Sequence, residues 1–151
     1  MKIHHLKRVQ LIRKPLRDVF AFFERPENLE IITPKSLSFK ILSPKPIQMK
    51  DGAVIDYTIR IFGIPLKWRT IILEYKPPHY FIDEQAKGPY AHWYHKHSFE
   101  ETLEGTQMID EVDYALPFGI LGEIAHVFFV KRDLKRIFDY RENVITKAFL
   151  T

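Results

Sequence analysis

The chain contains no cysteine among its 151 residues, which removes disulfides, thiolate metal sites and cysteine nucleophiles together and leaves redox chemistry silent about compartment. Glycine is also sparse, at six residues. Gly63, Gly88 and Gly105 stand at turns, and none belongs to a glycine-rich loop ahead of a helix, so no phosphate cradle is expected. A G-x-S-x-G elbow and a Walker pattern are missing as well. Long apolar runs are lacking: the longest near the C-terminus, GILGEIAHVFFV, carries Glu123 and His126 and is too short to span a bilayer. The opening MKIHHLKRVQ has no continuous apolar core of the signal-peptide kind. Charge of one sign is not dominant either, because 23 basic residues are interspersed with 19 acidic ones for a net charge of +4. The one concentrated patch, KRDLKR at 131–136, reads first as the solvated face of a helix, with docking to a protein or membrane surface as the sharper reading. These absences predict a soluble cytoplasmic protein without a cofactor, a nucleic-acid partner or an integral membrane segment.

What is present is bulky apolar surface. Hydrophobic residues make up 46% and aromatics 14%, with 12 Phe and 7 Tyr. A chain of this length buries roughly 70% of its unfolded surface in one core, so residues 1–151 are expected to form a single domain. Residues 4–13 read as a first strand ended by Pro15. PLRDVFAFFERPENLEIITP then places Val19, Phe22 and Phe23 at helical spacing, with Pro26 dividing that helix from a second short one before Pro34. From Leu37 the period becomes two: LSFKIL, then AVIDYTIRIF, then PLKWRTIILEY after a Gly63-Ile64 hairpin turn that would set Tyr57 opposite Thr70 and Ile59 opposite Trp68. Turns at KPP and KGP give further strands at about 79–86, 89–101 and 105–116. After LPFG, the residues Leu121, Ile124, Phe128, Leu134, Ile137, Arg141 and Ile145 predict one long amphipathic helix to Ala148. Such an α+β chain must bury the apolar face of an antiparallel sheet, and the terminal helix is its large cover.

Three of the seven histidines fall in GPYAHWYHKHSFE, residues 88–100. On a strand, alternate side chains share a face, so Ala91, Trp93, His95, His97 and Phe99 point inward while Tyr90, His92, Tyr94 and Lys96 point out. The next strand offers Met108, Asp110, Val112, Tyr114 and Leu116 to the same interior. With a loop over 102–105, Trp93 faces Tyr114, His95 faces Val112 and His97 faces Asp110, a buried acid–base pair. Phe81, Asp83 and Gln85, with Trp68 and Thr70 beside them, extend a wall of aromatics and a few polar groups, the composition of a ligand pocket. An H-x-H pair also presents two imidazoles on one face, but with Asp110 as the third donor in reach the set falls short of the usual metal shell, and no metal is expected.

FxDxQxxGPY, WxHxHxF and then GTxxxDxVxYxxPxG, running from Phe81 to Gly119, resemble the bacterial ligand-binding, cyclase/dehydrase-type branch of the SRPBCC or START-like superfamily. The N-terminal helix pair is similar too. The resemblance implies a helix-grip fold of the birch-pollen-allergen type: a curved seven-stranded antiparallel sheet around a long C-terminal helix. It implies an internal cavity for a hydrophobic small molecule such as a lipid or polyketide, in a monomer or weak dimer. The wall would be formed by Tyr57, Trp68, Thr70, Phe81, Asp83, Gln85, Trp93, His95, His97, Phe99, Asp110, Tyr114, Ile124 and Phe128. The alternative is a polyketide cyclase or dehydratase with His97 and Asp110 as the base and Tyr114 as proton donor.

Overall fold

The computed structural model describes residues 1–149. Seven strands form one antiparallel sheet: β1 His4–Ile12, β2 Lys40–Ile41, β3 Val54–Ile61, β4 Ile64–Lys76, β5 Tyr80–Lys87, β6 His92–Thr102 and β7 Gly105–Ala115. Their order across the sheet is β1-β7-β6-β5-β4-β3-β2, so the N-terminal strand closes against the last one. Register shifts in β4, between Arg69 and Thr70 and between Ile72 and Glu74, are bulges of the kind that sharpen twist and curl a sheet. Helices α1 (Leu16–Phe23) and α2 (Leu29–Ile32) cap one end, and the C-terminal helical segment lies along the concave face. This is the expected α+β helix-grip architecture.

The faces follow the period-two pattern. Trp93, His95, His97 and Phe99 are all buried, and β6 pairs with β7 in the expected register, Trp93 with Tyr114, His95 with Val112 and His97 with Asp110. Several details differ. LSFKIL is a strand only at Lys40–Ile41, because Lys35–Leu37 coils into a 3₁₀ turn and Ser38 takes a left-handed conformation. In α1 the buried residues are Val19, Phe20 and Phe23, with Phe22 at the edge of that face. The β3–β4 turn is Phe62-Gly63, both at positive φ, so Ile61 meets Ile64, Tyr57 meets Trp68 and Ile55 meets Thr70. The correction is a slip of two residues, which leaves every side chain on its expected face.

The long C-terminal helix is not continuous. It consists of α3 (Gly119–Ala125), a π-helical turn (His126–Val130) and α4 (Lys131–Ala148). The backbone N–H of Lys131 reaches back to the carbonyl of His126, which widens that turn by a residue. Inward-facing positions therefore run in steps of four from buried Leu134 through half-buried Val130 to buried His126 and Gly122. Leu121, Ile124 and Phe128, expected inside, are exposed. Gly122 sits so close to β7's exit that a Cβ there would lie 2.0 Å from the carbonyl oxygen of Pro117.

One end of the molecule is held by an aromatic cluster. Phe99, 2% exposed, meets the ring of Phe20 at 5.2 Å and that of Phe23 at 5.5 Å, joining α1 to β6. Phe99→Ala should therefore cost about 3–5 kcal/mol in urea unfolding, the sum of lost transfer energy and an unfilled cavity. A loss under about 1 kcal/mol would contradict this packing.

Candidate functional site

A cavity of about 260 Å³ lies between the concave face of β3–β6, the α1–α2 end and α4. Its position follows from where α4 is fastened. Arg8 on β1 pairs with Asp139, Gln10 donates to the Glu142 carbonyl and to Thr146 at 3.0 Å, and Arg141 Nη2 lies 3.7 Å from Asp110 on β7. The helix is drawn over β1 and β7. Toward β3–β5 its residues Leu134, Ile137 and Phe138 line the cavity.

Most of the cavity wall is apolar. Tyr57, Trp68, Tyr90 and Trp93 form an aromatic box, Tyr57 stacked on Trp68 at 5.8 Å and Trp93 edge-on to Trp68 at 5.4 Å. The Trp68 indole Nε1 is buried without a hydrogen-bond partner. Tyr57 shares a 3.4 Å contact with the Thr70 hydroxyl, and burial drives the phenols of Tyr57 and Tyr90 far above their ordinary pKa, so both stay neutral.

One polar cluster stands on the wall. Phe81, His97 and His95 stack in sequence, with centroids 4.2 Å and 3.6 Å apart. His97 Nε2 donates to Asp83 Oδ2 at 2.6 Å, and His95 Nε2 donates to Asp110 Oδ1 at 2.7 Å. His97 and Asp110 are cross-strand neighbours as expected, yet His97 Nδ1 stands 3.4 Å from Asp110 Oδ1 and makes no hydrogen bond. The bonded partners are the diagonal ones, because each imidazole leans along its strand.

The electrostatics separate two similar rings. Burial pushes His97 toward its neutral form, but Asp110 and Asp83 beside it prevail and its pKa is raised. Burial and the neighbouring charge of His97 lower the pKa of His95. Burial alone would raise both carboxyls. His97 holds Asp83 down instead, and Arg141 with the two histidines holds Asp110 well below the usual range. These directions favour ionised Asp83 and Asp110, with His97 and Arg141 as the cations beside them and His95 as the neutral ring. With Nε2 as donor, neutral His95 keeps a lone pair on Nδ1, 3.9 Å from Asp83.

Of the residues expected on the wall, Tyr57, Trp68, Thr70, Phe81, Asp83, Trp93, His95 and His97 line this cavity, whereas Gln85, Phe99, Asp110, Tyr114, Ile124 and Phe128 do not. Phe99 belongs to the α1 cluster, and Asp110 faces a small recess with Arg8, Gln10 and Arg141 beneath the helix. Tyr114 shares a 2.7 Å hydrogen bond with His126. The side-chain amide of Gln85 clamps the backbone of Tyr90 from both sides, at 2.8 and 3.1 Å. That clamp turns Tyr90 into the cavity, although strand parity put it outside. The pairing with β7 begins at His92, so parity does not reach residue 90. Arg141, Phe129 and the α1–α2 residues Phe23 and Leu29 also line the cavity and were not anticipated there. For Arg141 the signal was a cation on an otherwise apolar helix stripe.

Among the described residues, two groups offer three metal donors each within 4.8 Å: Asp83, His95 and His97 in the cavity, and His4, Glu123 and His126 at the start of the helical segment. In both, the two imidazoles lie nearly parallel at 3.6 Å, and their Nε2 atoms are already engaged, by Asp110 and Asp83 in the cavity and by Glu123 and Tyr114 at the helical segment.

The family described as polyketide cyclase/dehydrase and lipid transport matches residues 12–138. Among solved structures, protein CV1439 from Chromobacterium violaceum is 11% identical, with a TM-score of 0.75 over 98% of this chain and 99% of that one. The Zhui aromatase/cyclase from Streptomyces sp. R1128 is 14% identical, with a TM-score of 0.73 over 97% and 93%. Ara h 8.0201 is 14% identical, with a TM-score of 0.67 over 99% of each chain. At these identities the likeness is one of fold. No curated protein matches in sequence.

The charge pattern makes stability depend on pH in a defined direction. His97, raised above 6.5, contributes fully below that value and loses its contribution as pH climbs through its elevated pKa. His95, lowered below 6.5, acts oppositely, favouring the fold above that value. Asp83 and Asp110, lowered below 3.8, contribute above it and fail as pH falls through their depressed values. Comparing wild type with His97→Gln by urea unfolding, the stability gap should be wide at about pH 6 and narrow at about pH 9. An equal gap at both would mean that His97 is not charged in the fold.

Proposed function

Because the chain belongs to the polyketide cyclase/dehydrase and lipid transport family, within the SRPBCC or START-like superfamily, we propose that it binds a hydrophobic small molecule, a lipid or a polyketide, between sheet and C-terminal helix. The observation that carries this reading is the make-up of the wall: aromatic and aliphatic side chains predominate around about 260 Å³, Asp83, His95 and His97 form a polar cluster on it, and Arg25, Asn28, Thr33, Thr70, Asp133 and Arg141 are the other polar side chains. That volume lies near the lower end of small-molecule pockets, roughly 300–1,000 Å³, which favours a compact ring system or a short chain over a long one. A buried N–H without a partner on the wall, Trp68 Nε1, supports a ligand that carries an oxygen acceptor, since such a donor is costly when unpaired.

A second reading has its own observation. A neutral imidazole with a free lone pair beside a charged one, both on the cavity wall, is an acid and a base 3.6 Å apart, suited to the proton transfers of cyclisation or dehydration. In that reading His95 is the base, His97 the acid and Asp83 the group that holds His97 charged. Asp110 acts from behind through His95, and Tyr114, turned toward His126, takes no part.

Native mass spectrometry of the purified protein should detect a bound lipid-like or polyketide-like mass. Ile137→Trp, which enlarges a half-buried residue of the cavity wall, should release it without changing the far-UV circular dichroism. Binding would be disproved by an unliganded wild type that takes up neither medium-chain fatty acids nor aromatic polyketides on incubation. The enzyme reading requires that His95→Asn and His97→Asn each abolish turnover of a candidate polyketide while Tyr114→Phe preserves it. Turnover that survives both histidine changes removes the catalytic role.

A further inference from the structure

The segment Gly119–Val130 is amphipathic in the reverse of the usual sense. Its inward face holds Gly122 and His126, the latter bonded to Tyr114 and stacked on His4, whose Nε2 donates to Glu123 at 2.9 Å. Its outward face holds Ile120, Leu121, Ile124, Val127 and Phe128, between 49% and 78% exposed. A stripe of that size and spacing normally packs on a core. Here it faces solvent, next to the β3–β4 turn, where Phe62 is 81% exposed and Ile64 61%. Contiguous apolar surface on this scale marks an interaction site.

Backbone strain is concentrated in the same place. Among the described residues, three non-glycine residues have positive φ, and two of them, Phe62 at 52° and Phe118 at 69°, are bulky aromatics held outward at the margins of the patch. A left-handed phenylalanine that packs on little of its own chain is unfavourable for the fold by itself, and such strain tends to collect at functional positions.

Charge identifies the occupant. Going from Val127 and Phe128 by one helical turn, the same face continues as Lys131 and Arg132, then Lys135, all exposed. Lys131 and Arg132 form no salt bridge among the described residues, while Asp133 and Asp139 are engaged by Arg136 and Lys135. Arg60 is exposed beside the turn. An apolar surface passing directly into a basic collar matches the cross-section of a lipid leaflet, acyl chains below and anionic headgroups above. The apolar side chains project from two separate elements instead of forming a shaped recess, which a fluid apolar phase accommodates and a rigid protein partner does not. The patch also meets the cavity: Phe62 and Phe129, edge-on with centroids 6.4 Å apart, are exposed and line the cavity as well.

We propose that the outward face of residues 119–130, together with the β3–β4 turn, is a docking surface for an anionic lipid bilayer, and that it applies the cavity mouth to the membrane. Docking here is peripheral; among the described residues no helix is long and apolar enough to cross a membrane. Seated this way, the cavity would exchange an apolar molecule with the leaflet without exposing it to water.

Sedimentation with mixed phosphatidylcholine and phosphatidylglycerol vesicles tests the surface without reference to any cavity ligand. Wild type should bind at low salt. The paired change Ile124→Asp and Phe128→Asp should weaken binding by about tenfold or more, given the apolar area removed. Lys131→Glu with Arg132→Glu should weaken it on anionic vesicles and not on pure phosphatidylcholine. Phe128→Trp, which keeps the surface apolar, should give a vesicle-dependent blue shift beyond that of wild type, and this reading stands even where the aspartate variant does not fold. Wild type that stays in the supernatant, an aspartate variant that binds as wild type does, or no added shift from Phe128→Trp overturns the proposal. So does a wild-type dimer in the absence of vesicles that the aspartate variant abolishes, since the face would then be an interface between copies.

Discussion

The carboxylate of Asp110 is 2% exposed and ionised, and the arrangement of the molecule depends on how it is satisfied. An unpaired charge at that depth is prohibitively costly, and removing one partner of a buried pair costs about 3–5 kcal/mol. Its partners come from both layers: His95 from the neighbouring strand and Arg141 from α4. Meeting that requirement fixes the helix over β7 and β1, where Arg8 and Gln10 add further ties. Toward β3–β5 room remains between the sheet and the helix residues Leu134 and Ile137, and that room is the cavity. The group that anchors the helix therefore also decides where a ligand has room.

The same requirement orders the charges in the cavity. Because Asp110 takes the proton-bearing Nε2 of His95, the other nitrogen of that ring is left as a lone pair. Asp83 takes Nε2 of His97, so the two stacked rings differ in protonation although they sit two residues apart on one strand. Whether the cavity stores a ligand or acts on it, this asymmetry is what it presents. The π turn has a parallel effect at the far end of the helix, since its one extra residue trades an apolar contact with the sheet for a polar one through His126 and releases the apolar stripe to the surface.

Much of this was legible in the sequence, for reasons that can be stated residue by residue. Strand parity has a period of two, so the inward set Trp93, His95, His97 and Phe99 follows from a few residues, and the β6–β7 register follows from matching apolar faces across a short loop. Errors of two residues, as in the turn that proved to be Phe62-Gly63, preserve the face and do little harm. Helical parity is less forgiving. The expected stripe of Leu121, Ile124 and Phe128 assumes uniform α-helical spacing, whereas the π turn sets the inward positions at 122, 126, 130 and 134. Tyr90 was misplaced for a related reason: it lies before the strand begins, where the Gln85 clamp rather than alternation sets its direction.

By itself the sequence determined which residues share a face, because alternation is a local property of the backbone, and through its motif it determined the family and the helix-grip fold. It also set His95, His97 and Asp110 on one inward face, with Asp83 joining them once Phe81 points inward. Only the tertiary structure decided which imidazole bonds to which carboxylate, that Arg141 completes the charge balance, that Asp110 and Tyr114 lie under the helix and outside the cavity, and that the apolar stripe of residues 120–128 faces outward. Those outcomes depend on distances between elements far apart in the chain, on the tilt of a helix and on one widened turn, none of which a local pattern encodes.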